Sequence, residues 1–282
     1  MQLDLTDNVH FFEYFRRMKN EKQVFGTYEW AVENANFISG CSHNCKYCYS
    51  REMAIRFKRK TSLNWQNEEV NFKQLEKNAK KVNGVIMFPS SHDITPENLT
   101  NSIKFLKKLL NQDNEILIVT KPHLVVIKTI CKEFKAYKNK ILFRFTIGSN
   151  NSETLKFWEP NAPDYEERKQ CLIYAYKKGF STSVSCEPML DDNIIELVEE
   201  LTPFVTNSIW LGKMNFLLRR LNMNGINDLE TIEKAKKLIE IQSDENIKKL
   251  YDHLSTNDKV KWKESIKKVV KIEISTIKGQ DK

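Results

Sequence analysis

The stretch Asn36-Phe-Ile-Ser-Gly-Cys-Ser-His-Asn-Cys-Lys-Tyr-Cys-Tyr49 sets the phase of the whole chain. Asn36-Phe-Ile-Ser39 reads as a short strand, and Gly40 permits a sharp turn out of it. Cys41, Cys45 and Cys48 then follow at C-x3-C-x2-C spacing. A loop this tight brings together three thiolates, enough for three corners of a cubane iron–sulfur cluster, and leaves the fourth iron without a protein ligand. An iron with an open position chelates a small molecule, which points to chemistry and not to electron storage alone. The competing assignment is zinc, which in structural sites takes four protein ligands. The fourth would be His43 or a distant cysteine, and His43 sits where a shared metal strains the loop.

From Asn36 onward, short apolar runs alternate with amphipathic segments. Strands are expected at Asn36–Ser39, Gly84–Phe88, Glu115–Thr120, Ile141–Ile147, Phe180–Cys186 and Ser208–Leu211, with helical patterns near 50–60, 68–81, 96–111, 123–138, 164–178 and 191–201. Repeated strand–helix units imply right-handed crossovers and a parallel sheet. Six units are too few for an eight-stranded barrel and suit a partial (βα)6 barrel of the TIM type; an open doubly wound sheet is the alternative within the α/β class. Thr95-Pro96 reads as an N-cap with proline at N1, and Lys177-Lys178-Gly179 as a helix C-terminus with its C′ glycine. Residues 1–34 form an N-terminal extension that is aromatic and basic at 10–17, residues 35–216 the partial barrel, and residues 217–282 a helical C-terminal extension in which strands stop beyond Leu217.

Length and composition exclude several classes. With 282 residues, 40% of them hydrophobic and 29% charged, the chain belongs among globular proteins with a sizeable core. No apolar run reaches the roughly 20 residues of a bilayer span, and the N-terminus lacks a signal-peptide pattern, so a cytoplasmic protein without a membrane partner is expected. Six cysteines, three clustered and three scattered (Cys131, Cys171, Cys186), do not make a disulfide scaffold. Lys and Arg outnumber Asp and Glu 45 to 37, a net charge of +8 compatible with an anionic partner such as nucleic acid.

The cysteine loop, with Tyr47 just before its last cysteine, resembles the signature of radical S-adenosylmethionine (radical SAM) enzymes. The wider stretch Asn36–Met53 is similar to the spore photoproduct lyase-like branch. Pro89-Ser-Ser-His-Asp93, Val119-Thr-Lys-Pro122, Phe145-Thr-Ile-Gly148, Trp158-Glu-Pro-Asn-Ala-Pro163 with Arg168, and Cys186-Glu-Pro-Met189 match it in order. The resemblance covers roughly residues 35–215. It implies a [4Fe–4S] cluster on Cys41, Cys45 and Cys48, S-adenosylmethionine on the open iron, an electron donor such as flavodoxin or ferredoxin, and hydrogen abstraction from a substrate. Positive charge and that branch favour a nucleic acid or nucleotide as substrate, with a peptide or small metabolite the alternative. The rival is a non-catalytic nucleic-acid-binding protein with a zinc or iron–sulfur knuckle.

Further residues follow from the resemblance and from the rule that βα folds place chemistry at the C-terminal ends of strands. Tyr47 lies against the adenine or is packing. Many members carry Gly-Gly-Glu after the second strand; here Ser90, Ser91 and Asp93 are the candidates for the methionine ammonium, or the segment is a capping turn. His92 is a substrate contact or a surface residue. Thr146 and Ser149 are candidates for cofactor contact, with turn formation the alternative for Ser149 and Asn150. Lys121 either neutralises a carboxylate or phosphate or belongs to an ordinary loop. Cys186 is either a hydrogen-atom donor or a small buried apolar residue. Glu159 and Arg168 are expected to pair and steady their loop.

Overall fold

The structure, a computed structural model, describes residues 23–280. The basic, aromatic run at 10–17 lies outside them. Its elements are β1 (Glu33–Asn34), β2 (Ile38–Ser39), α1 (Tyr49–Arg56), β3 (Glu69–Val70), α2 (Phe72–Glu76), β4 (Val85–Phe88), α3 (Leu99–Leu110), β5 (Glu115–Thr120), α4 (Leu124–Glu133) and β6 (Ile141–Thr146). There follow α5 (Ser152–Trp158), α6 (Tyr165–Lys177), β7 (Ser181–Cys186), α7 (Ile194–Leu201), β8 (Ile209–Leu211), α8 (Leu217–Met223), α9 (Leu229–Ile241), α10 (Asp244–Leu254), β9 (Val260–Trp262) and α11 (Glu264–Val270).

Seven strands pair in the order β1-β4-β5-β6-β7-β8-β9, every neighbour parallel. This is the α/β partial barrel that the strand–helix alternation implies. Side-chain alternation along each strand defines its two faces. Ile86, Phe88, Ile116, Ile118, Phe143, Phe145, Val184, Ile209 and Leu211 belong to the large core shared with the helices. Each such side chain withdrawn from water contributes about 1.5–3 kcal/mol. Met87, Leu117 and Trp210 face the other way and meet Trp30 in a second, smaller cluster. Trp30 and Trp210 stand 5.7 Å apart, and the guanidinium of Arg144 lies over both rings. Inward side chains from β4, β6 and β8 can meet only if the sheet curls around them, so the open doubly wound alternative is set aside.

Several boundaries differ from expectation. Asn36–Ser39 is not the first barrel strand: Ile38–Ser39 pairs antiparallel with Glu69–Val70, and Glu33–Asn34 opens the sheet beside β4. Strands do not stop at Leu217, because Val260-Lys-Trp262 pairs parallel with β8. The sheet thus takes strands from both sides of the 35–216 span. The helix expected at 68–81 shrinks to Phe72–Glu76, because Asn71 caps it by accepting from the Gln74 amide. The Thr95-Pro96 pair does not cap: α3 starts at Leu99, and Asn98 accepts from the Thr95 amide. Gly179 does end α6, at φ +76°. A seven-residue helix, α5, was not expected; Asn151 caps it with bonds from Glu153 and Thr154. No helix among the described residues is long and apolar enough to cross a membrane.

Candidate active site

The cysteine loop leaves β2 through Gly40 at φ +98°, where a Cβ would come within 2.5 Å of the Asn67 carbonyl oxygen and 2.7 Å of that of Trp65. Only glycine fits there. Asn44, at φ 51°, tightens the turn between the first two cysteines. Two other parts of the chain clamp the loop. Asn161 donates from Nδ2 to the Ser42 carbonyl, and Lys46 N donates to the Trp158 carbonyl. From the C-terminal side, Asn224 Nδ2 donates to the carbonyls of Lys46 (2.9 Å) and Cys48 (3.1 Å). Cys48 is the N-cap of α1, its Sγ accepting from the Arg51 amide at 3.4 Å. Burial pushes the Cys48 thiol up, and the Arg51 amide at the helix N-terminus offsets part of that rise.

All three cysteines line a cavity of about 730 Å³ at the C-terminal ends of the strands. Tyr47, Ser90, Ser91, Asp93, Lys121 and Thr146 line it too, so the loop meets the ends of β4, β5 and β6 there. Two expected residues do not reach it. Cys186 is fully buried in the core shared with the helices, its Sγ 2.9 Å from the Ile147 carbonyl. On β7 the inward parity belongs to Ser181, Ser183 and Ser185, so Cys186 faces away; burial pushes its thiol up, well beyond the usual range. The thiol expected as a hydrogen-atom donor therefore does not line the cavity, and its placement is that of the small buried apolar residue. Ser149 is buried as well: it donates to Asp191 Oδ2 and accepts from the Asn151 amide, which is the turn-forming alternative.

Beneath the loop runs a connected set of ionic side chains. Asp93 accepts from the Lys121 amide (2.7 Å) and Thr120 Oγ1 (3.0 Å), and its other oxygen lies 2.9 Å from His43 Nδ1 and 3.6 Å from Lys121 Nζ. Burial alone would raise the Asp93 pKa, but Lys121 and His43 outweigh it and hold the carboxyl well below its usual range. Likewise burial would lower Lys121, and Asp93, Cys45, Tyr47 and Glu159 hold it well above its ordinary value. Glu159 receives Tyr47 OH and Arg168 Nη2 and lies 4.0 Å from Lys121 Nζ. The expected Glu159–Arg168 pair is therefore present and fully buried. His92 is not a surface residue: both ring nitrogens are buried without a hydrogen-bond partner among the described residues, the ring meets Phe37 and Phe88 edge-on, and burial lowers its pKa to about 4.

The donor set suits an iron–sulfur cluster: three sulfurs on one clamped loop, opening on a cavity with room for a second ligand. Zinc has one rival grouping among the described residues, Cys41 with His43 and Asp93, whose ligand atoms lie within 4.8 Å of one another. That grouping uses a single cysteine, and its other members are already bonded to each other, to His123 and to Thr120.

The opposite wall went unnoticed in the sequence. Lys263, fully buried just after β9, bonds Glu29 at 2.6 Å and the Gly26 carbonyl at 2.9 Å, and lies 3.4 Å from Glu187 Oε2 in the cavity. At Gly212 a Cβ would come within 2.9 Å of the Glu187 side chain and 3.0 Å of that of Lys263. The alternation Val260-Lys-Trp262 was the available signal, but three residues are too few to stand out.

A family model described as the Radical SAM superfamily matches residues 35–201. An uncharacterized protein, ORF301, of Acidianus two-tailed virus is 24% identical over 242 residues, which cover 80% of this chain and 78% of the viral protein. Among solved structures, spore photoproduct lyase complexed with dinucleoside spore photoproduct aligns with a TM-score of 0.50 at 16% identity, over 75% of this chain and 66% of that one. Streptococcus suis SuiB bound to S-adenosylmethionine aligns with a TM-score of 0.51 at 11% identity, over 94% of this chain and 57% of that one. At such identities the likeness is one of fold. The chain spans less than two thirds of either solved protein.

Proposed function

The chain belongs to the radical SAM superfamily, and from that premise we propose that Cys41, Cys45 and Cys48 hold a [4Fe–4S] cluster whose remaining iron takes S-adenosylmethionine. The observation that carries this reading is the placement of all three cysteines on one wall of a single cavity with Lys121, Ser90 and Ser91. When bound, the cluster supplies the electron that cleaves S-adenosylmethionine reductively and so starts hydrogen abstraction from a substrate. The chain's own residues bind, orient and exclude water. Lys121 Nζ sits farther than a hydrogen bond from both Asp93 and Glu159, leaving its donors available to a carboxylate. Asp93, spent on His43, Thr120 and Lys121, positions Lys121, and the Ser90 and Ser91 hydroxyls are left to receive the ammonium. Ser90 is held by Asn36, whose amide nitrogen donates to its hydroxyl at 2.7 Å and whose oxygen accepts from its N–H at 2.8 Å. Tyr47, tied to Glu159, buttresses the loop and walls the cavity, and Thr146 lines the side toward the substrate.

The proposed substrate is a nucleotide or nucleic acid. The cavity mouth carries Arg59, Lys213 and Arg220 beside Tyr49, Met53 and Phe216, three exposed apolar side chains. Cations beside exposed rings suit a phosphate backbone and stacked bases. The spore photoproduct lyase-like motifs favour the same class. An electron donor such as flavodoxin or ferredoxin and a cytoplasmic location belong to the same proposal. A non-catalytic zinc protein is not favoured, because its best ligand set leaves Cys45 and Cys48 unused.

The test is anaerobic reconstitution and reduction, followed by incubation with deuterated oligonucleotides and mass analysis of the 5′-deoxyadenosine formed. Deuterium in that product identifies the substrate class. Cleavage without transfer from any nucleic acid overturns the substrate assignment, and a normally formed cluster that never cleaves S-adenosylmethionine overturns the catalytic one.

A further inference from the structure

The barrel has a second chamber at its other pole, about 470 Å³ in volume, on the N-terminal side of the strands. Trp30 borders both chambers. With Met87, Leu117 and Trp210 it forms a partition, so the lower space is separate from the cysteine cavity.

The odd feature of this partition is Arg144. It projects inward from β6, is 4% exposed, and lies over the Trp30 ring at 4.6 Å and the Trp210 ring at 5.3 Å. Among the described residues it makes one hydrogen bond, from Nε to Ser183 Oγ at 2.9 Å, and no ion pair. Its Nη1 is enclosed without an acceptor, and so are the indole N–H groups of Trp30 and Trp210. Buried donors are nearly always satisfied, and a buried cation without a counter-charge is costly. Burial draws the Arg144 pKa down to about 9, with only Glu187 opposing.

The geometry points to a binding site for the phosphate group of a small molecule in this lower chamber, with Arg144 as its counter-ion. A guanidinium presents a fork of donors that matches a phosphate's oxygens. The chamber's other charges allow it. Glu29 is neutralised by Lys263 at 2.6 Å and Lys140 is engaged with Asp113, while Glu115 and Lys261 line the chamber with opposite charges. Arg144 is thus a buried charge of this chamber with no ion pair among the described residues. Ser181 and Ser208 line the chamber beside it and supply further polar contact.

The experiment uses the full chain and titrates inorganic phosphate, and separately glycerol phosphate, at constant ionic strength, followed by calorimetry and thermal unfolding. Saturable binding with a Tm rise of a few degrees is expected for at least one of them. Tighter binding of the ester assigns the site to a phosphorylated molecule, and tighter binding of the free ion to phosphate itself. Arg144→Met should weaken binding at least about tenfold, while Arg220→Ala, at the mouth of the other cavity, should leave it unchanged. Absence of saturable binding overturns the proposal, as does its loss in Arg220→Ala with retention in Arg144→Met. Should Arg144→Met not fold, crystals of the unaltered chain soaked in bromide decide: anomalous scattering beside Arg144 supports the site, and an ordered water without it overturns the site.

Discussion

The two faces of the sheet obey different rules. Outward, toward the helices, the strands carry a mainly apolar set from Ile86 to Leu211, interrupted by Thr120 and Thr182, with Cys186 packed among them. Inward, the same strands mix Met87, Leu117 and Trp210 with Arg144, Ser183 and Ser185, and end in Lys121 and Thr146. The outer face holds the fold together by withdrawing apolar area from water, and any side chain of suitable volume serves there. The inner face holds polar groups at fixed positions, and each needs a named partner. Parity along a strand therefore decides whether a reactive residue type reaches the cysteine cavity. Cys186 and Lys121 both stand at strand ends, yet they lie on opposite sides of this divide.

Four substitutions probe that divide. Cys45→Ala, in the loop above the inner face, should abolish both the brown colour of the reconstituted protein and turnover; retained activity would break the ligand assignment. Arg168→Met leaves Glu159 buried without its main partner, and unfolding in urea should show a loss of about 3–5 kcal/mol; near-neutral behaviour would mean the ions beneath the cysteine loop do not depend on one another. Lys121→Met should lower S-adenosylmethionine cleavage about 10- to 100-fold with the fold intact, as expected for a group orienting a bound ligand. Cys186→Ala should cost about 1 kcal/mol of stability and leave turnover within about twofold of the parent by kinetic assay. A collapse of activity there would show that the outer face contributes to chemistry after all.

Much of this arrangement could be read from the residues. Four of the strands, from Val85 to Cys186, are four to six residues long and rich in β-branched or aromatic side chains, so their pattern stands above the background. The cysteine spacing points to the proposed cluster independently of the fold. The first and last strands escaped because Glu33–Asn34 and Val260–Trp262 are two and three residues long and take their conformation from the neighbours they pair with. The orientation of Cys186 was written in Ser181-Thr-Ser-Val-Ser-Cys186, where serine at every second position marks the inner face. What no local pattern reveals is partnership over long separations. Asn224 clamping the cysteine loop, Lys263 reaching Glu187, and Arg144 wedged between Trp30 and Trp210 all depend on closure of the barrel.

The decisive measurement is Mössbauer spectroscopy of anaerobically reconstituted protein, before and after S-adenosylmethionine is added. A cubane spectrum in which a single iron changes its signal on addition is the predicted result. Bound zinc in place of iron, or a cluster whose irons are all indifferent to S-adenosylmethionine, would contradict the account.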